Sequence, residues 1–151
     1  MSSFTKAFRL SVIGLAVICV GGCQSYQAPS AASPLTGTAW VLIEYRAEAA
    51  STATDVPLNR YTLSLEADGT ARAKLDCNNG TTRWTSTKGK PGSGSISFGE
   101  VAATRALCPE GSLGERLAAD LPRMATWSLY DGRLTLATGH EGPEYNWDSI
   151  D

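Results

Sequence analysis

The stretch from Arg60 to Cys77, RYTLSLEADGTARAKLDC, constrains this chain more than any other. Tyr61, Leu63 and Leu65 alternate with Arg60, Thr62, Ser64 and Glu66, then Asp68-Gly69 supplies a turn pair, and the alternation resumes. Ala71, Ala73, Leu75 and Cys77 fall on one side, with Thr70, Arg72, Lys74 and Asp76 on the other. A period of two with an Asp-Gly between its halves specifies an antiparallel hairpin with one apolar face. Carried to its end, the alternation places Cys77 on the core face and makes Asn78-Asn79-Gly80 the next turn.

The rest of the body follows the same grammar. TAWVLIEY, residues 38–45, is apolar on both faces, which suits a strand covered on both sides or bent as in a barrel. TTRWTST reads as a short strand, GKPGSG as a loop, and SISFG as a strand with Ile96 and Phe98 together. Asp131-Gly132 centres a second hairpin that sets Trp127 and Leu129 against Leu134 and Leu136, and Tyr145 and Trp147 share a face of a last strand. One helix is expected after Cys108. Ser112 and Glu115 have capping-box spacing, Leu113, Leu117, Leu121 and Met124 form an apolar stripe, and Pro122 ends or bends the helix. The expected class is α+β: a curved, half-barrel-like, mostly antiparallel sheet of seven or eight strands with one helix packed on it.

The first 23 residues read as an address. Lys6 and Arg9 precede the apolar run LSVIGLAVICV, and Gly21-Gly22 precede Cys23. The run is shorter than the roughly 20 residues a spanning helix needs, and the order is that of a secretory signal. Residues 24–34, QSYQAPSAASP, carry no charge and have linker composition, a tether of roughly 20 Å r.m.s. reach. The expected layout is a leader over 1–22, Cys23 and tether over 23–34, and one domain over 35–151. Fifteen acids all follow Cys23 and thirteen bases include the two leader cations, so the exported body is mildly acidic. That balance disfavours nucleic acid as a partner.

Cys19 leaves with the leader, so Cys77 and Cys108 remain. An even pair in an exported chain reads as one disulfide, closing a loop worth about 3–4 kcal/mol by chain entropy. A nucleophilic thiol or a thiolate metal site is the competing reading; an oxidising compartment and a single histidine disfavour it.

Other chemistry is sparse. His140 lies in the Gly- and Pro-bearing stretch TGHEGPE and reads as a solvated loop residue; a hydrolytic triad would have to use it. No Gly-x-Ser-x-Gly elbow, phosphate-binding loop or metal-ligand spacing is present. Asp76, Glu66 and Glu100 are the carboxylates available for an acid pair, and a local salt bridge or turn bond is the plainer role for Asp76. Arg72, Lys74 and Arg83, with Lys88 and Lys90, form a cationic stretch that reads as a solvated sheet face or as a contact for anionic headgroups or wall polymers. Trp40, Trp84, Trp127 and Trp147 read as core, with Trp84, flanked by Arg83 and Thr85, the alternative candidate for an exposed binding surface.

Two resemblances add to this. VGGC, residues 20–23, resembles the lipobox of bacterial lipoproteins, which implies an acylated Cys23, and Gln24 after it favours an outer membrane over an inner one. The pieces LTGTAWVL, LSLEADGTARAKLDCNNG, GSISFGEVAATRALCPE and LYDGRLTLAT together resemble the META (HslJ-type) domain family. The family motif falls on Asp76, Cys77, Asn78, Thr104 and Cys108, while EAASTATDV, residues 48–56, is an insert-like departure. The resemblance implies a stress-linked envelope protein without an established reaction. The expectation is therefore a non-catalytic, monomeric, lipid-anchored protein at the periplasmic face, without a cofactor, binding an envelope protein or a small ligand. An inhibitor of a lytic enzyme or a chaperone-like module is the alternative, and a hydrolase using His140 the third.

Overall fold

A computed structural model describes residues 33–48 and 51–150. The leader, Cys23, the tether up to residue 32, and residues 49–50 of the insert lie outside the described residues.

Among the described residues ten strands, all paired antiparallel, form one sheet. They are β1 (Thr38–Arg46), β2 (Thr54–Asp55), β3 (Tyr61–Leu65), β4 (Thr70–Leu75), β5 (Asn78–Lys88), β6 (Ser93–Phe98), β7 (Ala102–Ala103), β8 (Thr126–Tyr130), β9 (Arg133–Ala137) and β10 (Glu144–Ser149). Neighbours run β10-β9-β8-β6-β5-β4-β3-β1, and β10 pairs back onto β1, so eight strands close a barrel. This corrects the half-barrel expectation. Closure removes both long sheet edges and, among the described residues, leaves only the two-residue strands β2 and β7 outside the ring.

The double-faced apolarity of β1 has a local cause. A bulge between Leu42 and Glu44 shifts the register against β10, so that Leu42 opposes Trp147 and Tyr45 opposes Tyr145. One extra residue flips the parity, and inward positions appear on both sides of the strand's period.

Side chains fill the lumen. Trp40, Leu42, Tyr61, Leu63, Leu65, Leu75, Trp127, Leu134, Leu136, Tyr145 and Trp147 are all at most 3% exposed. Burial of such groups, roughly 1.5–3 kcal/mol each, is the main favourable term for a domain of this size. The hairpin residues Ala71 and Ala73 and the strand pair Ile96 and Phe98 are buried as their alternation required. Asp131 and Gly132 both have positive φ, 50° and 78°, between the paired Tyr130 and Arg133, as a two-residue hairpin demands.

The helix α1 (Gly114–Asp120) and the 3-10 turn Leu121–Arg123 that continues it lie at the end of the barrel where β4 ends and β5 begins. Leu117, Leu121 and Met124 are buried, with Leu113 packed against them. The capping box does not form: Leu113 is the N-cap, no side chain caps the helix, and the Ser112 hydroxyl accepts from the Gly114 N–H at 3.2 Å. Tyr61 instead holds the helix start, its hydroxyl accepting from the Leu113 N–H at 2.7 Å. Gly114 allows the close approach, because a Cβ there would lie 2.4 Å from the Leu75 carbonyl oxygen. At the opposite end Leu35, fully buried, follows the start of the described chain, and the Gly37 N–H donates to Leu65 O at 2.7 Å.

Candidate functional site

The hairpin between β4 and β5 turns on two residues, Asp76 and Cys77, because Leu75 pairs with Asn78. Asp76 takes φ 66°, a conformation that Asp tolerates better than most side chains. The expected turn at Asn78-Asn79-Gly80 is therefore strand instead. The parity resets across the turn: Asn78 points inward and is 7% exposed, while Cys77 is exposed and off the core face, against expectation. Counting inward from Asn78 reaches Thr82 and Trp84, so Trp84 is buried at 6%, its indole N–H donating to Glu66 O at 3.1 Å. Trp84 is core, as its leading reading has it, and the alternative of an exposed binding surface around it is not formed.

Three devices converge on this turn. Arg60 clasps Asp76 with two N–H groups, Nε to Oδ1 at 3.0 Å and Nη2 to Oδ2. Hydrogen bonds from Arg60 hold the Asp76 carboxyl below its usual range, opposed by burial and helped by Ser112 and, more weakly, by the Arg60 and Lys74 charges. Cys77 and Cys108 are joined as a disulfide across a separation of 31 residues, with Cα atoms 5.5 Å apart. Finally, the Asn78 amide grips the incoming segment: its Oδ1 accepts from the Thr104 hydroxyl at 2.8 Å and the Ala106 N–H at 2.7 Å, and its Nδ2 donates to Ala106 O at 2.9 Å. Thr104 completes the clip, its N–H donating to Asn79 O at 3.0 Å and its hydroxyl accepting from the Asn79 N–H at 3.0 Å. The motif residues Asp76, Cys77, Asn78, Thr104 and Cys108 thus meet in space, and together they fasten one loop.

That loop carries the surface feature the sequence did not flag. Leu107 is 101% exposed, between the fastened Ala106 and the disulfide-bonded Cys108. Exposure of this degree gives a leucine no burial energy in the free protein. Beside it a groove of about 510 Å³ runs between the loop and α1, lined by Leu75, Val101, Ala103, Ala106 and Ala118 with Arg105 and Glu115 among the polar residues. Only position could have pointed to Leu107, an apolar residue in RALCPE that belongs to no periodic run.

A second cleft, of about 850 Å³, lies where β1 ends and β10 begins, and is lined by Glu48, Arg116, Arg123, His140 and Glu141. His140 is exposed, as expected for its loop. The described lining offers a histidine and two carboxylates, with no hydroxyl or thiol. Beneath it Asp120, 2% exposed, accepts from the Tyr145 hydroxyl at 2.7 Å and from Arg123 Nη1 at 3.3 Å. Burial, then the hydrogen bond to Asp120, pushes the Tyr145 phenol far above its usual range. Asp120 sits within the apolar helix stripe, the one sign in the sequence that a buried partner had to exist.

Arg72, Lys74 and Arg83 project from the outer face of β4 and β5 and are exposed. Two of them are partly engaged at home: Arg83 donates to Asp68 O at 2.8 Å and to the Thr70 hydroxyl at 3.2 Å, and Lys74 to Asn59 O at 2.7 Å. Asp76 and Glu66 follow opposite ends of the β3–β4 hairpin, so the hairpin keeps those two carboxylates apart.

A filled eight-stranded barrel, closed at one end by a short helix and displaying a disulfide-braced loop, defines a small β-barrel domain with its distinctive chemistry on the surface. The META domain profile matches residues 33–145, and the chain belongs to the META domain family. No curated protein sequence matches it. Among solved structures it is similar to a protein from Burkholderia xenovorans determined by NMR, at 22% identity and a TM-score of 0.58, over 77% of this chain and 83% of that one. A crystallised duf4847 family protein from Bacteroides vulgatus ATCC 8482 is also similar, at 13% identity and a TM-score of 0.51, over 76% of this chain and 94% of that one. These two likenesses concern the fold.

Proposed function

We propose that this protein is a non-catalytic, lipid-anchored component of the bacterial envelope that docks a partner protein through the loop around Leu107. The carrying observation is the full exposure of Leu107 on a segment fastened at Thr104, Ala106 and Cys108. A preorganised loop spends little conformational entropy on binding, and a central apolar anchor contributes much of an interface's affinity. The packed lumen favours binding on the surface over a ligand held inside the barrel. The described chain enters at the barrel end opposite the loop. The lipobox-like VGGC and the charge-free tether support attachment through an acylated Cys23 at the periplasmic face of an outer membrane. Of the two alternative modes, a rigid loop fits a defined cleft better than the varied segments a chaperone must hold.

The test is site-specific crosslinking in intact envelopes, with and without heat stress. A photoreactive residue at position 105 is expected to trap a discrete partner that Leu107→Asp abolishes. Trapping from position 72 alone would move the interface to the cationic sheet face and overturn this reading. Fatty-acid labelling checks the anchor: Cys23→Ser is expected to lose both label and membrane association.

A further inference from the structure

The geometry points to a partner class for this loop: an endopeptidase with an apolar specificity pocket, which Leu107 enters in the manner of a substrate and blocks. The inference rests on the docking role given above to the same loop. From Thr104 to Cys108, alternate residues are fixed to the barrel. Thr104 is held through Asn78 and Asn79, Ala106 through both its N–H and its carbonyl by the Asn78 amide, and Cys108 through the disulfide. The residues between them, Arg105 and Leu107, are exposed, and among the described residues their main-chain N–H and C=O groups have no hydrogen-bond partner. Peptidases bind their substrates as extended strands through such free main-chain groups, with a side-chain pocket selecting one residue. Glycan-cleaving enzymes select polar, hydroxylated groups, so a lone exposed leucine suits them poorly.

The bracing also explains how such a segment resists being consumed. Attack on the Leu107 carbonyl carbon by an enzyme hydroxyl forms an acyl ester and breaks the bond to the Cys108 nitrogen, which receives the hydroxyl's proton. The freed Cys108 amine stays tied to Cys77 through the disulfide, while the acyl side stays tied through Ala106 to Asn78. The amine therefore remains beside the ester, and re-formation of the peptide bond competes with water at high effective concentration.

The full-length protein in detergent is titrated against chymotrypsin, whose pocket is apolar, and against trypsin, whose pocket is anionic. The wild type is expected to inhibit chymotrypsin, and Leu107→Asp to weaken that inhibition by roughly a hundredfold, the loss of a central anchor. Leu107→Arg is expected to transfer inhibition to trypsin. Because Leu107 is exposed, circular dichroism should show both variants folded. Absence of inhibition by folded wild type, equal inhibition by Leu107→Asp, or cleavage after Leu107 as fast as in a free peptide overturns the inference. So does a sedimentation result in which the wild type dimerises and Leu107→Asp does not, since the occupant is then a second copy. Should chymotrypsin be unaffected while the crosslink from position 105 still depends on Leu107, docking stands and the peptidase assignment falls. If both fail, the two fall together.

Discussion

Replacing Asn78 by Ala removes the clip while leaving the disulfide in place. The amide supplies three close hydrogen bonds, at 2.7, 2.8 and 2.9 Å, two of them to the main chain of Ala106. A typical intramolecular hydrogen bond contributes about 0.5–1.5 kcal/mol net, so the three amount to roughly 3 kcal/mol. The side chain is itself buried, and truncation also leaves a small void at the helix-covered end of the barrel. For a domain of this length, that loss corresponds to a fall in Tm of roughly 10–15 °C. Thermal unfolding by circular dichroism measures the total, and hydrogen exchange locates it, because the Ala106 amide should lose protection before the barrel strands do. Asn78→Asp separates the components. A carboxylate still accepts from Thr104 and Ala106 but cannot donate to the Ala106 carbonyl, which it then faces with like partial charge. It should be destabilised at neutral pH and regain part of the loss when protonated. An Asn78→Ala protein that melts within about 2 °C of wild type, with Ala106 still protected, would refute the claim that this amide fastens the loop.

Reduction of Cys77–Cys108 is expected to cost about 3–4 kcal/mol by chain entropy, read as a lower urea midpoint in the presence of reductant. Arg60 depresses the Asp76 pKa in the folded state, so the pair stabilises above the ordinary carboxyl value near 3.8, and that contribution is lost as pH falls through the lower folded value. Asp76→Asn, which keeps a side chain tolerant of φ 66°, should flatten the acid limb of the stability curve; an unchanged acid limb would count against the pairing. Tyr145 has the opposite sign: its phenol is held protonated in the fold, so its contribution is present below about 10 and disappears as pH rises beyond it. Tyr145→Phe should lose roughly 1.5–3 kcal/mol at neutral pH, the worth of a hydrogen bond to a charged group, and should show less alkaline destabilisation, measured by denaturant titration at pH 7 and 11. Arg105→Ser with Leu107→Ser should stay within about 0.5 kcal/mol of wild-type stability, since neither side chain is buried, and the same titrations check it.

What the sequence disclosed and what it hid divide along the range of the interaction. The 60–75 hairpin, the Asp131-Gly132 turn, the helix stripe and the buried tryptophans follow from spacings of two to four residues, and those local patterns hold. Closure of the barrel depends on β1 meeting β10, as in the pair Trp40 and Ser149, and pairing at that distance leaves no periodic trace. One local event was hidden as well. Asp76 adopts a left-handed conformation without a glycine to announce it, so the strand ends at Leu75 while the alternation of apolar letters runs on to Cys77. A slip of one residue exchanges the two faces. That slip separates the expected inward Cys77 from the observed inward Asn78.

The same turn explains why the family motif marks the site without being its contact surface. Asp76, Cys77, Asn78, Thr104 and Cys108 direct their side-chain chemistry inward on the protein itself: an ion pair, a covalent bond and an amide clip. Groups committed in this way have little left to offer a ligand. A loop held by so many independent fasteners has instead lost the freedom that binding would otherwise have to remove. On the docking role proposed for this loop, recognition falls to the residues left unfastened between them, Arg105 and Leu107.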